Sequence, residues 1–185
     1  MKVHGLLTVL ACSCAFLPWP SSAQNVDANS VISAPGGSTS YFVENADSPN
    51  ERIVECTNHC ANKRIIVSGK VEQKPEQNLF GFKNLRLSPD SSTLYFETEA
   101  WAVSNAVHAV NLKTGVERFV TDGSIACVVG SGEHQGNIIV AQHKYFVQGG
   151  SYDPLNLFTS QGKEVGVVAL DSGDAPKFCA PKDNL

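Results

Sequence analysis

Leu87-Ser88-Pro89-Asp90, followed by Leu94-Tyr95-Phe96 and then by Val110-Asn111-Leu112-Lys113-Thr114-Gly115, is the stretch that decides the fold. Ser-Pro-Asp and Lys-Thr-Gly are turn formers, because proline presets φ, aspartate bonds to nearby backbone and glycine tolerates positive φ. Between them stand short runs of β-branched and aromatic residues, the composition of a pleated, half-buried strand. Strand, turn, strand at this spacing is an antiparallel meander.

The same punctuation continues in both directions. Upstream, residues 41–43, 52–55 and 64–71 are β-forming runs, and 79–87 leads into the Ser-Pro-Asp turn. Downstream, runs at 125–129, 138–147, 155–158 and 164–169 are separated by Gly149-Gly150 and Gln161-Gly162, with Asp122-Gly123 before the first and Ser172-Gly173 after the last. No stretch beyond the N-terminal segment sustains an i, i+3, i+4 apolar pattern for more than two turns. The region 100–109 could hold one helical turn, and it reads better as loop and strand. The chain is all-β.

A weak internal repeat gives the architecture. Leu94-Tyr95-Phe96, then Val107-His108-Ala109-Val110, then a turn and the run 116–120 form one series. Ile138-Ile139-Val140, then Leu155-Asn156-Leu157-Phe158, Gln161-Gly162 and the run 165–168 form a second. An offset of about 45 residues with four strands per unit is the spacing of propeller blades, which stack because one sheet cannot bury both of its faces alone. The Leu-Ser-Pro-Asp, Leu-Tyr-Phe and Asn-Leu-Lys-Thr-Gly elements resemble the TolB-type propeller repeat. The resemblance covers one good blade, 79–123, one degenerate blade, 124–171, and a partial third within 52–71. A closed ring needs at least four blades, about 160 residues. The expectation is therefore an incomplete propeller-like stack of two or three antiparallel sheets.

Composition sets the class. The chain has 185 residues, 42% hydrophobic and 17% charged, with a net charge of −4. That excludes a disordered tail or a coiled coil. It holds no basic run for a phosphate backbone, so nucleic acid is not a partner. Lys2 precedes an apolar run over 6–17, and Pro18-Trp19-Pro20 and Ser21-Ser22-Ala23 follow. This is the pattern of a signal peptide cleaved after Ala23. A run of about 12 residues is too short for the roughly 20 that span a bilayer. A buried N-terminal helix, or acylation at Cys12 or Cys14, explains the segment less well. The organisation read from sequence is a signal peptide over 1–23, a flexible lead-in over 24–39 and one propeller-like domain over 40–185. The protein is expected in the periplasm, without membrane insertion.

Beyond the leader stand four cysteines, Cys56, Cys60, Cys127 and Cys179. An even number in an oxidising compartment favours two disulfides, for which three connectivities exist. The preferred pairing is Cys56–Cys60, closing a tight loop, and Cys127–Cys179, tying the tail to a strand. A metal site on Cys56, His59 and Cys60 lacks a second short-spaced ligand pair, so no metal is expected.

Catalytic patterns are poor. Gly130-Ser131-Gly132 lacks the spacing of a nucleophile elbow, and disulfides leave no thiolate for Cys–His chemistry. Glu97 and Glu99 alternate onto one strand face, which suits a solvent-facing row better than a paired-carboxylate site. His108, His134 and His143 have no ligand spacing, and one of them is expected in the core. No glycine loop opens a helix. Neither an enzyme nor a cofactor is expected.

What remains is binding equipment. Each repeat joins its second and third strands by a long connection at the same end of the blade, over 100–105 and over 148–154. Trp101, Val103, Ser104 and Asn105 in the first, and Tyr145, Ser151 and Tyr152 around the second, mix aromatic anchors with adaptable hydrogen-bonders. These seven residues are the candidate contact surface for a protein partner. The short exported β scaffold with a serine-bearing loop is similar to periplasmic immunity proteins that block peptidoglycan amidases delivered by type VI secretion. That resemblance implies an inhibitor whose loop enters the amidase cleft, with Ser104 at its tip against the catalytic histidine. The other reading is a TolB-like interaction module of an envelope complex.

Overall fold

The computed structural model describes residues 31–179. The expected signal peptide and the first part of the lead-in, residues 24–30, lie outside them. Three four-stranded antiparallel sheets follow one another along the chain. The first contains β1 (Ile32–Ser33), β2 (Thr39–Glu44), β3 (Arg52–Thr57) and β4 (Asn62–Ser68). The second contains β5 (Lys83–Leu87), β6 (Thr93–Trp101), β7 (Ser104–Asn111) and β8 (Glu117–Asp122). The third is built from β9 (Ser124–Val128), β10 (Ile138–Ala141), β13 (Leu155–Phe158) and β14 (Glu164–Ala169), paired in that order. A separate two-stranded hairpin, β11 (Lys144–Tyr145) and β12 (Ser151–Tyr152), interrupts the third sheet between its second and third strands.

This is the incomplete propeller-like stack that the repeat implied. The second and third sheets fall inside the two expected blades. The partial blade is a complete sheet, and it starts at Ile32 within the stretch read as lead-in. Ile32 pairs with Tyr41 and Ser33 with Ser40. A strand of two residues carries no alternation for a reader of sequence to find.

The turns form as their chemistry demands. Asp90 Oδ1 accepts from Ser88 Oγ at 2.6 Å, from Ser92 N at 3.1 Å and from Ser92 Oγ at 3.0 Å. Those bonds, Ser88's first, hold the Asp90 carboxyl below its usual range. They also fix Ser91 at a φ of 56°, a left-handed conformation that serine would otherwise avoid. Asn111 Oδ1 does the same for the β7–β8 turn, accepting from the N–H groups of Lys113 and Thr114.

Alternation along the strands produces two apolar layers. Tyr41, Val43, Ile53 and Val67 of the first sheet meet Leu85, Leu94, Phe96 and Val110 of the second. Tyr95, Val107, Ala109 and Val120 on the other face of the second sheet meet Ile125, Ile138, Val140 and Phe158 of the third. His108 is the core histidine: its ring stacks on Phe96 at 5.3 Å and bonds to Thr98 and Glu117. The outward face of the third sheet, Ile139, Leu155 and Leu157, is covered by the short helix α1 (Ala175–Cys179). That is the longest helix among the described residues, and none there is long and apolar enough to cross a membrane.

Buried carboxylates tie successive sheets together, and here sequence reasoning failed. Glu97 is 3% exposed and does not share a solvent-facing row with exposed Glu99. Its Oε1 accepts from Ile125 N at 2.7 Å and from Asn84 Nδ2 at 2.5 Å, and its Oε2 accepts from Asn105 Nδ2 at 2.7 Å. Glu51 repeats the device one sheet earlier, accepting from Gly81 N at 2.7 Å and Phe82 N at 3.2 Å. Burial pushes the Glu51 carboxyl up, against the pull of those two N–H groups. Period-2 alternation sends both kinds of residue to one face, and only the next sheet decides whether that face is wet.

Both disulfides form in the preferred pairing. Cys56 and Cys60 close their loop with Cα atoms 4.8 Å apart, and Cys127 and Cys179 staple α1 to β9 at 5.6 Å. Two disulfides in so small a domain mark a protein of an oxidising compartment.

Candidate functional site

The connections on one end of the stack converge on a groove. The β6–β7 turn, the 3-10 turn Pro75–Gln77, the end of β8 and the base of the β11–β12 hairpin supply its walls. Its volume is about 580 Å³, and Glu76, Trp101, Val103, Ser104, Phe119, Asp122 and His143 line it. A smaller neighbouring hollow of about 150 Å³ brings Val103 and Ser104 against His143 and Asp153. The two connections singled out in the sequence therefore do share one surface.

The first of them is not a loop. Strand β6 runs through Trp101, which pairs directly with Ser104, and only Ala102 and Val103 remain as a two-residue turn. The reading of a six-residue connection with Ser104 at its tip does not describe this geometry. Ser104 is half-buried in the groove wall, and its Oγ lies 3.4 Å from the carbonyl of Asn105. The tip belongs to Ala102 and Val103. Asn105 faces inward, donating to Glu97 Oε2 at 2.7 Å and to Ser124 Oγ at 3.1 Å. Trp101 stays 40% exposed, its ring edge-on to Phe119 at 6.5 Å and 64°.

The second connection does protrude. Tyr145 pairs with Ser151 and Lys144 with Tyr152, outside the three main sheets. Phe146 N donates to Gly150 O and Gly149 N to Phe146 O, closing the tip. Gly149 and Gly150 take φ values of 95° and 88°, which a side chain would resist. Phe146 stacks on Tyr152 at 4.5 Å, and Tyr145 stands edge-on to His143 at 4.8 Å. The His143 ring is held in turn by Asp153, Nδ1 to Oδ1 at 2.7 Å. These contacts give the hairpin a small core of its own, yet Tyr145 is 67% exposed, Phe146 54% and Val147 fully so.

Of the seven candidate residues, Trp101, Val103 and Ser104 line the groove, Tyr145, Ser151 and Tyr152 build the hairpin, and Asn105 is a structural link. Glu76, Phe119 and Asp122 were not found by sequence reasoning. Phe119 and Asp122 sit in one ordinary strand, β8, and Glu76 reaches the groove only through the packing of its 3-10 turn against that strand. No group of three potential metal ligands occurs among the described residues.

No protein-family model matches the chain, and no curated protein does. Solved structures do resemble it. Hydrazine synthase from Kuenenia stuttgartiensis aligns over 76% of this chain and 42% of its own, at 14% identity and a TM-score of 0.50. A gluconolactonase from Xanthomonas campestris aligns over 75% and 46%, at 14% identity and a TM-score of 0.47. A putative TolB from Agrobacterium tumefaciens aligns over 74% and 40%, at 13% identity and a TM-score of 0.40. The chain thus spans less than half the length of each. At such identity the likeness is one of fold alone.

Proposed function

We propose that this protein is an exported protein-interaction module that engages its partner through the groove-bearing end of the stack, with the β11–β12 hairpin as the principal contact. The observation that carries this reading is the hairpin itself: a braced protrusion outside the main sheets that exposes Tyr145, Phe146 and Val147 side by side. Contiguous apolar exposure is rare on a soluble monomer unless something covers it. Rigid aromatic anchors are the residues that dominate interface energies. The two disulfides support an oxidising compartment, and the leader read over 1–23 makes the periplasm the proposed location.

This is the TolB-like reading, a module of an envelope complex, and it has better support than the inhibitor reading. An inhibitor whose segment 101–105 enters an amidase cleft would need that segment to project. A two-residue turn with Ser104 half-buried in a wall offers little to insert.

The test is retention of a partner from periplasmic extract by the wild type and by a Tyr145→Ser, Val147→Ser variant. Neither side chain belongs to the core of the three sheets, so melting should be unchanged. Retention should fall more than tenfold, as for loss of a binding hot spot of about 2 kcal/mol. Equal retention by the variant would refute this assignment of the contact surface.

A further inference from the structure

We propose that the groove beneath the hairpin takes a cationic side chain, a guanidinium or an ammonium on an apolar stem, presented by the partner's chain. This rests on the protein-interaction reading above and adds the chemistry of what the groove accepts. Trp101 and Phe119 meet edge to face at 6.5 Å and form an aromatic corner, with Trp101 40% exposed toward the opening. The face of an indole attracts a cation held within about 6 Å of its centroid. Two carboxylates, Glu76 and Asp122, stand in the same walls, and neither is ion-paired among the described residues.

No lysine or arginine lines the groove. Its single imidazole, His143, is turned onto Asp153 at 2.7 Å and so faces a carboxylate of its own. Asp122 is held in orientation: its Oδ1 accepts from Gln142 Nε2 at 2.9 Å and Thr121 Oγ1 at 3.3 Å. An acidic ligand would be repelled by both carboxylates. A neutral apolar one would strip their water and return nothing, which is costly. A long basic side chain satisfies both surfaces, its methylenes against Val103 and the rings, its charge against the acids. The volume of about 580 Å³ falls within the ~300–1,000 Å³ of small-ligand sites, enough for such a side chain with flanking backbone.

The experiment is an NMR titration of the full chain with four probes: the N-acetyl amides of arginine, lysine, norleucine and glutamate. The reporter is the Trp101 indole N–H, distinguished from that of Trp19 by its loss in Trp101→Phe. Arginine and lysine amides should give saturable shifts at millimolar concentration, with norleucine at least tenfold weaker and glutamate inert. A Glu76→Gln, Asp122→Asn variant should lose the cation response. The carboxamide introduced by Asp122→Asn keeps an oxygen for Gln142, and unchanged melting would confirm the fold. The single variant Glu76→Gln, on a turn with no buried residue, should show a partial loss independently. Norleucine binding as well as arginine, no saturable shift with either cation, or an unchanged response in the folded double variant would each overturn the proposal. The partner assay separates the two readings. Capture lost in the hairpin variant but undiminished in the carboxylate variant sinks the cationic groove and leaves the contact surface standing. Capture undiminished in the hairpin variant sinks the contact surface itself.

Discussion

Replacing Glu97 by glutamine should cost far more than its position on a strand suggests. Three donors converge on its carboxylate from Asn84, Asn105 and the Ile125 backbone, so one side chain closes the second sheet onto the third. Glutamine keeps a single acceptor oxygen and adds an N–H₂ group. Placed toward Asn84 and Ile125, the oxygen still serves two donors without charge assistance, while the new amide faces the Asn105 N–H₂ at about the present 2.7 Å. Hydrogen bonds to a charged acceptor contribute about 1.5–3 kcal/mol each, and a buried donor left facing another donor forfeits about 1–3. Allowing for partial relaxation, the expected loss is about 2–4 kcal/mol. For a domain of this size, at about 2–4 °C per kcal/mol, melting should fall by about 5–15 °C. The control is Glu99→Gln, two residues along on the same strand and exposed, where the change should stay within about 0.5 kcal/mol. Urea unfolding of both variants, fitted with a common slope, provides the comparison. A Glu97 variant within about 1 kcal/mol of wild type would refute the view that this carboxylate joins the sheets.

Acid sensitivity should centre on Glu44, whose carboxyl Lys63 and, after it, Arg52 hold below the ordinary 4.5. A lowered folded value contributes stability above that ordinary value and loses it as pH falls through the folded one, so Glu44→Gln should be less stable than wild type at neutral pH and converge with it only once pH has fallen below the folded value. Glu51, pushed up by burial, has the opposite sign: its contribution is complete below 4.5 and fades as pH rises. Replacing Cys127 and Cys179 by serine opens a closure of 52 residues, which the chain-entropy relation values at about 4 kcal/mol, and chemical denaturation should report that loss. Gly123→Ala should destabilise by about 2–5 kcal/mol in the same assay, since φ is 125° and a Cβ would collide with Ala141 O and meet Val140 Cγ1 at 2.7 Å.

What the sequence made legible was whatever rests on local chemistry. Ser88-Pro89-Asp90 and Asn111 through Gly115 form the turns their side chains specify, and the sheets between them follow. The cysteine pairing was readable because one pair is nearly adjacent and the other had a single partner left. The β6–β7 connection was misjudged because neither Ala102 nor Val103 is a turn former and neither takes positive φ. The strand instead bends at the irregularity between Glu99 and Trp101, which no residue type announces. The groove was illegible for a different reason. Phe119 and Asp122 share β8 while Glu76 comes from the 3-10 turn ahead of the second sheet, and only the packing of that turn against β8 brings them together.

The staple between Cys127 and Cys179 also dictates a timetable. A chain that emerges N-terminus first presents Cys56 and Cys60 almost together, and they can close while little else has appeared. Cys127 emerges next, and its mate stands 52 residues later. Throughout that interval it is the only described cysteine awaiting a partner, and the early closure of the first pair has already removed its two nearest rivals. Order of arrival, as much as geometry, thus selects one connectivity from three, and any delay in the first closure would let Cys127 capture the wrong thiol.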